Sequence, residues 1–245
     1  PTVEREVEST RPVAMIAARL SDVAPDDQAT RVTYGLLNLT HRNGHAEPEA
    51  LRPAERYRVK VDLNNIAQVF PKGHRLRLSL STSYWPLAWP PPQSVCLTLH
   101  LKDSLLELPV RPPRENNGDI SFPPPEVAPA PRTRQLEPKN HNWLVHRDLA
   151  GDLSTLEVIK DEGSFWIEPI DLTVGARTWD WYSYRDSDFS SPRGETRTER
   201  IFRRGDWSVR TTTRTVLTAD STHFRIHAEL DAWEGEKRIY SQNWG

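Results

Sequence analysis

Apolar and polar positions alternate along most of this chain with a period of two. In residues 73–92 (GHRLRLSLSTSYWPLAWPPP), Leu76, Leu78, Leu80, Thr82 and Tyr84 share one parity, while Arg75, Arg77, Ser79, Ser81 and Ser83 share the other. Successive side chains on a strand point to opposite faces, so the pattern predicts a strand with one packed and one wet face, as in an antiparallel sheet. The strand runs into Trp85, Trp89 and four prolines, Pro86, Pro90, Pro91 and Pro92. Proline offers no amide hydrogen to a ladder, so the sheet is expected to stop there in a stiff, aromatic loop.

The same reasoning places strands elsewhere. Residues 13–20 are a short apolar run and 21–28 are turn chemistry with three aspartates. In 30–42, Val32, Tyr34 and Leu36 share a parity that slips to Leu37, Leu39 and His41, which predicts a β-bulge beside Gly35. A polar loop over 43–55 follows. Residues 57–63 then alternate with Tyr57, Val59, Val61 and Leu63 inward, and 64–70 read as a short helical turn. Residues 96–101 and 105–110 predict a hairpin around Lys102, Asp103 and Ser104. Later strands are expected at 144–149, 154–160, 165–172, 174–185, 197–203, 207–218, 223–233 and 238–244. No window of a dozen residues carries a 3.6-residue period, so the chain reads as all-β.

Residues 112–139 break the pattern. They are rich in proline, with Pro123, Pro124 and Pro125 in a row, and a segment of this kind favours extended, semi-rigid backbone. The expected organisation is a first β domain over 1–111, a proline-rich linker or surface crossing over 112–139, and a second antiparallel β domain over 140–245.

Composition refines this. Only 36% of residues are hydrophobic, yet the chain holds nine Trp, six Tyr and six Phe, which marks it as folded. A net charge of -2 without long runs of either sign argues against nucleic acid or a membrane surface as partner. Cys96 is the single cysteine, so neither a disulfide nor a cysteine zinc site forms within one chain. Without an apolar run of membrane-spanning length or a signal-peptide pattern, the expected compartment is the cytoplasm. The chain opens Pro-Thr-Val-Glu rather than on Met and reads as a portion of a longer polypeptide.

Candidate chemistry is sparse. There is no Gly-x-Ser-x-Gly elbow, His-Glu-x-x-His, P-loop or dinucleotide fingerprint, and the serines read as residues of wet strand faces. Asp22, Asp26 and Asp27 could offer oxygens to Ca²⁺, but aspartates in turns ordinarily bond their own backbone, and that reading is preferred. His223 and His227 on one strand face would stand about 13 Å apart, too far for one metal. No catalytic residue, metal or cofactor is therefore assigned. Tyr84, Trp85 and Trp89 are the candidate contact residues. The two tryptophans could stack on a sugar ring, but an interface with another domain is preferred, because Trp is enriched at buried anchors.

Three stretches together, ARLSDVAPDDQATRVTYGLLNLTHR, FPKGHRLRLSLSTSYWPLAWPPP and LELPV, resemble the C-terminal β-sandwich of the cocaine esterase and Xaa-Pro dipeptidyl-peptidase group of serine hydrolases. They span about residues 20–110. One departure is Asp27, which stands where the family commonly has glycine; aspartate tolerates the positive φ such a turn requires. The resemblance implies a jelly-roll (galactose-binding-like) sandwich followed by a second antiparallel β unit. It also implies a non-catalytic role, with the catalytic Ser, Asp and His in a hydrolase domain of the same polypeptide that the sandwich packs on. The parent would be an esterase or a peptidase. An exposed face left by that partner would also allow a homo-oligomer. The alternative is a carbohydrate- or small-ligand-binding module.

Overall fold

A computed structural model describes residues 1–112 and 121–245. The chain divides into two compact units, Pro1–Asn117 and Gly118–Gly245. Fourteen strands are formed among the described residues, and helical structure is confined to two single 3₁₀ turns, Leu39–His41 and Glu168–Ile170. The all-β expectation holds.

The first unit contains two three-stranded antiparallel sheets. One has the order β4-β1-β6, from β1 (Thr2–Ser9), β4 (Arg56–Asp62) and β6 (Leu97–Glu107). The other has the order β3-β2-β5, from β2 (Met15–Val23), β3 (Ala29–Asn38) and β5 (Arg75–Ser81). Their inner faces meet in one core. Val3 and Val7 come from β1, Ile16, Ala18 and Leu20 from β2, and Val59 and Val61 from β4. Leu39 and Leu51 close it, with Leu78, Leu80, Leu97, Leu99 and Leu106 packed around the margin. Each fully buried aliphatic side chain contributes on the order of 1.5–3 kcal/mol through removal from water.

Several local expectations are corrected. The inward row of β3 and its continuation is Thr33, Gly35, Leu37 and Leu39, without a slip at Gly35. The irregularity lies earlier, where Leu20 faces Thr33 but Ser21 faces Arg31, leaving Val32 as the extra residue. Gly35 has a different role: a Cβ there would meet the carbonyl oxygen of Asp62 at 2.0 Å, so the close approach of β3 to the end of β4 requires glycine. Residues 64–70 form no helical turn. The backbone instead continues along β3, with Asn64 N–H donating to the Tyr34 carbonyl at 3.0 Å and Thr33 Oγ1 donating to the Asn64 carbonyl at 2.8 Å.

The hairpin expected in 96–110 is also absent. Both halves pair with β1 as one strand: His100 faces Glu6 and Leu105 faces Glu4. Four residues of β6 thus oppose the single Arg5, a surplus of three. An odd surplus reverses parity, which is why Leu97 and Leu99 pack inward before it, and Leu106 and Leu108 after it.

The second unit is one antiparallel sheet. Its strands are β7 (Thr133–Glu137), β8 (Asn140–Asp148), β9 (Leu153–Ile167), β10 (Leu172–Arg185), β11 (Asp188–Arg204), β12 (Trp207–Ala219), β13 (Phe224–Glu234) and β14 (Lys237–Trp244). They run in the order β14-β13-β12-β11-β10-β9, with β7 and β8 sharing the far side of β9. The stretch expected as a proline-rich crossing therefore contains a strand, β7; its residues 113–120 lie outside the described residues. The expected strand at 154–160 and the first residues of that at 165–172 merge into β9, whose register steps near Gly163, while Glu168–Ile170 form the 3₁₀ turn that leads into β10.

The register divides this sheet into two unlike faces. One carries Ile159, Trp179, Arg197, Arg214 and Glu229 in a single row. Ion pairs cross it: Arg177 contacts Glu137, Asp161 and Glu199 at 2.9–3.3 Å, and Arg214 contacts Glu195 at 2.7 Å and Glu229 at 3.0 Å. Trp181 Nε1 donates to Glu157, which also holds His146. The other face carries Val158, Ala176, Leu217, Ile226 and Leu230, interspersed with threonines. Asp180 lies there almost wholly buried, accepting from Thr196 Oγ1 at 2.8 Å with Lys160 at 3.6 Å.

Candidate functional site

The candidate contact residues follow β5, at the point where the prolines end the ladder. Trp85 and Trp89 fold onto one another edge to face, with ring centroids 4.9 Å apart and planes at 89°. The Ala88 N–H donates to the Tyr84 carbonyl at 3.0 Å, which closes the loop into a turn. Both indoles are half-buried, while Leu87 at the tip is 52% exposed.

Tyr84 belongs to a cluster that the sequence pattern does not show. Its ring meets Tyr34 edge to face at 5.6 Å, and the Arg19 guanidinium lies over it at 5.0 Å. Arg31 lies over Tyr34 at 5.2 Å and donates to the Tyr84 hydroxyl. Arg19 also donates to Ser81 Oγ at 3.3 Å, and Ser81 Oγ donates to the Ser83 carbonyl at 2.7 Å. Cation and ring alternate, so each guanidinium sits in the negative potential of an aromatic face. Arg19, Arg31 and Tyr34 come from β2 and β3, and only the pairing of Arg19 with Tyr34 brings them to Tyr84. The loop is therefore fixed to the wet face of the β3-β2-β5 sheet by three other side chains.

The three aspartates of the early turn go to separate partners. Asp22 pairs with His74 at 2.8 Å, Asp26 caps the Gln28 N–H, and Asp27 pairs with Arg75. Asp27 holds a φ of 67°, the conformation expected of a residue in the glycine position. His223 and His227 turn to Asp220 and Glu229, respectively. Among the described residues no three metal-ligating side chains converge, and no helix is long and apolar enough to cross a membrane.

Comparison with known proteins places this geometry. A stretch of 69 residues is 32% identical to the cocaine esterase of Rhodococcus sp. (strain MB1 Bresler), covering 28% of this chain and 12% of that protein. The chain thus matches a small part of that relative's length. Residues 1–145 match the X-Pro dipeptidyl-peptidase C-terminal non-catalytic domain. That match takes in the whole sandwich, the aromatic loop and the first strands of the second unit, and the chain belongs to this family of non-catalytic domains.

Proposed function

We propose that this chain is the C-terminal portion of a larger serine acyl hydrolase, an esterase or an Xaa-Pro dipeptidyl-peptidase, and that its sandwich packs on the catalytic domain and shapes substrate access. The parent reaction would be hydrolysis of an ester or amide through an acyl-enzyme. The observation that carries this reading is the match of residues 1–145 to a non-catalytic domain of such enzymes. The aromatic loop supports it: Tyr84 is held by Arg19 and Arg31, Trp85 by Trp89, and Leu87 projects. A pre-ordered loop loses little entropy on docking, and aromatic side chains are common anchors of buried interfaces. We place the 1–111 sandwich as the docking body, with Tyr84, Trp85 and Trp89 as contact residues. The cytoplasm is the proposed compartment, in keeping with a single free cysteine.

The test has two arms. The chain alone, given p-nitrophenyl esters and a dipeptidyl-proline anilide, should turn over neither; turnover at ordinary enzyme rates refutes the reading. In the parent enzyme, Trp85→Ala with Trp89→Ala should raise KM or weaken domain association; unchanged kinetics and stability would remove the loop from the contact. A sugar-binding role for this loop finds less support, because Trp85 and Trp89 cover each other edge to face instead of presenting an open ring platform.

A further inference from the structure

The ionic face of the second unit's sheet contains a hollow of about 330 Å³. It lies over the row in which Trp179, Arg197 and Arg214 stand side by side on β10, β11 and β12. Thr212, Glu229 and Asp231 complete its walls. Most of the charges around it are tied down. Arg214 is gripped by Glu195 and Glu229, Asp231 takes Arg238 at 3.4 Å, and Glu199, also at the rim, is shared by Arg177 and Arg210. Arg197 differs. It is exposed, and among the described residues it has no carboxylate partner. It also stands directly opposite Arg214, and like charges paired across strands cost stability. The half-buried Trp179 on its other side makes no hydrogen bond with its indole N–H among the described residues. A free forked donor and an indole therefore share one hollow without serving the fold.

The lining selects the ligand chemistry. Two arginines stand against three carboxylates, Glu199, Glu229 and Asp231, but each carboxylate is already paired with an arginine, so the lining offers a polyanion one uncompensated cation, Arg197, too little to hold it. A cation finds those carboxylates already engaged and Arg197 in its way. An apolar ligand finds one ring and otherwise polar walls, unlike the mostly apolar linings such ligands occupy. A neutral ring bearing several hydroxyls fits. Hydroxyls both donate and accept, carboxylates accept from them, guanidinium donates in a planar fork, and indole offers an apolar face with a polar edge. The volume lies near the lower bound for small-ligand sites, about 300 Å³, which suits one or two sugar rings.

We infer that this hollow binds a neutral saccharide, with one pyranose ring against Trp179 and its hydroxyls spanning Arg197, Thr212 and the carboxylates of Glu229 and Asp231. The site is separate from the aromatic loop of the first unit and stands whether or not that loop docks on a hydrolase. The test is calorimetric titration of the full 245-residue chain with xylo-, cello- and galacto-oligosaccharides, followed by a glycan array of neutral and sulfated sugars. Saturable binding of a neutral sugar is expected, weakened at least tenfold by Trp179→Ala and by Arg197→Gln. Because Arg197 is exposed, without a carboxylate partner among the described residues and opposed by Arg214, Arg197→Gln should not lower the melting midpoint, which separates loss of binding from loss of fold. No binding to any neutral sugar overturns the proposal. So does binding that survives both substitutions, binding lost only with Trp85→Ala and Trp89→Ala, or a preference for sulfated sugars.

Discussion

Val3, Val7, Ile16 and Leu20 lie on facing strands of the first unit with 0–1% of their surface exposed, whereas among the described residues the sheet of the second unit buries one aliphatic side chain, Val158, and leaves 5% of it exposed. The first unit has two layers and hides its apolar parity between them. The second has one layer, and residues such as Trp143, Ile226 and Trp244 remain about half exposed or more. Its strands are instead crossed by Arg–carboxylate pairs that bridge β9 through β13. The difference teaches that one period-two pattern supports two stability regimes. A sandwich rests on area removed from water, while a lone sheet rests on its ladder and on cross-strand pairs of modest individual strength.

The comparison can be broken most forcefully in the sandwich. Leu20→Ala should destabilise the first unit by about 2–5 kcal/mol, as for other large-to-small core changes. Seven of the nine tryptophans lie beyond residue 140, so tryptophan fluorescence reports mainly on the second unit. Its midpoint in urea should stay fixed while circular dichroism shows an earlier loss; a joint shift would show that the two units unfold as one. Next in size is Gly163→Ala, at a φ of 64° where a Cβ would lie 2.1 Å from the Glu137 carbonyl oxygen. Forced apart, β7 should detach from β9 at a cost of about 1–3 kcal/mol, seen as faster amide exchange in residues 133–137.

Smaller effects should separate the units by charge. Arg214→Met leaves Glu195 and Glu229 without their shared cation and should lower the second unit's melting midpoint by a few degrees, a modest loss because the pair is partly solvated. Acid sharpens the contrast. Burial pushes the Glu195 carboxyl up, but hydrogen bonds from Arg214 and Arg193 outweigh it and hold the group below the usual carboxylate range. Hydrogen bonds from His227 and Arg214 hold Glu229 low as well. Such groups bind fewer protons folded than unfolded. Their contribution is complete above the ordinary carboxylate pKa and disappears as pH falls through the lowered folded value. Glu8 in the first unit is lowered by Arg56 and His100 in the same way, but its sandwich retains the aliphatic core. The fluorescence transition should therefore move to lower urea on acidification before the circular-dichroism signal of the sandwich does. The least of these effects is salt: 1 M NaCl should weaken the second unit slightly and the first by less, because its exposed pairs such as Arg56 with Glu8 and Arg58 with Glu4 stand beside an aliphatic core that salt does not screen.

What the sequence shows depends on where the apolar residues fall. β5 and β4 are legible because their leucines and valines alternate without interruption. β1 is not, although it is the central strand of its sheet: TVEREVES offers only Val3 and Val7, separated by Glu4, Arg5 and Glu6. Its burial is supplied by β4 and β6 on either side, a property of pairing and not of the segment. Lys102, Asp103 and Ser104 resemble a hairpin turn locally, yet both flanking segments find the same partner strand. At the candidate site, Tyr84, Trp85 and Trp89 are visible as a cluster in the chain. Arg19, Arg31 and Tyr34 become visible only once β2 and β3 are in register. The same holds for Trp179 beside Arg197, which lie 18 positions apart and meet through a hairpin.

The three surplus residues of β6 make that edge a place where chain length is negotiable. Excising 101–103 would join His100 to Ser104 and restore an uninterrupted zigzag in which Leu97, Leu99 and Leu106 keep their side of the sheet. Enlarging the surplus would cost little, since closing a longer loop grows only slowly in entropy and the pairs at Glu6 and Glu4 hold the phase on either side. This outer edge is therefore a natural port for grafting a peptide tag or a foreign loop without disturbing the packed interior.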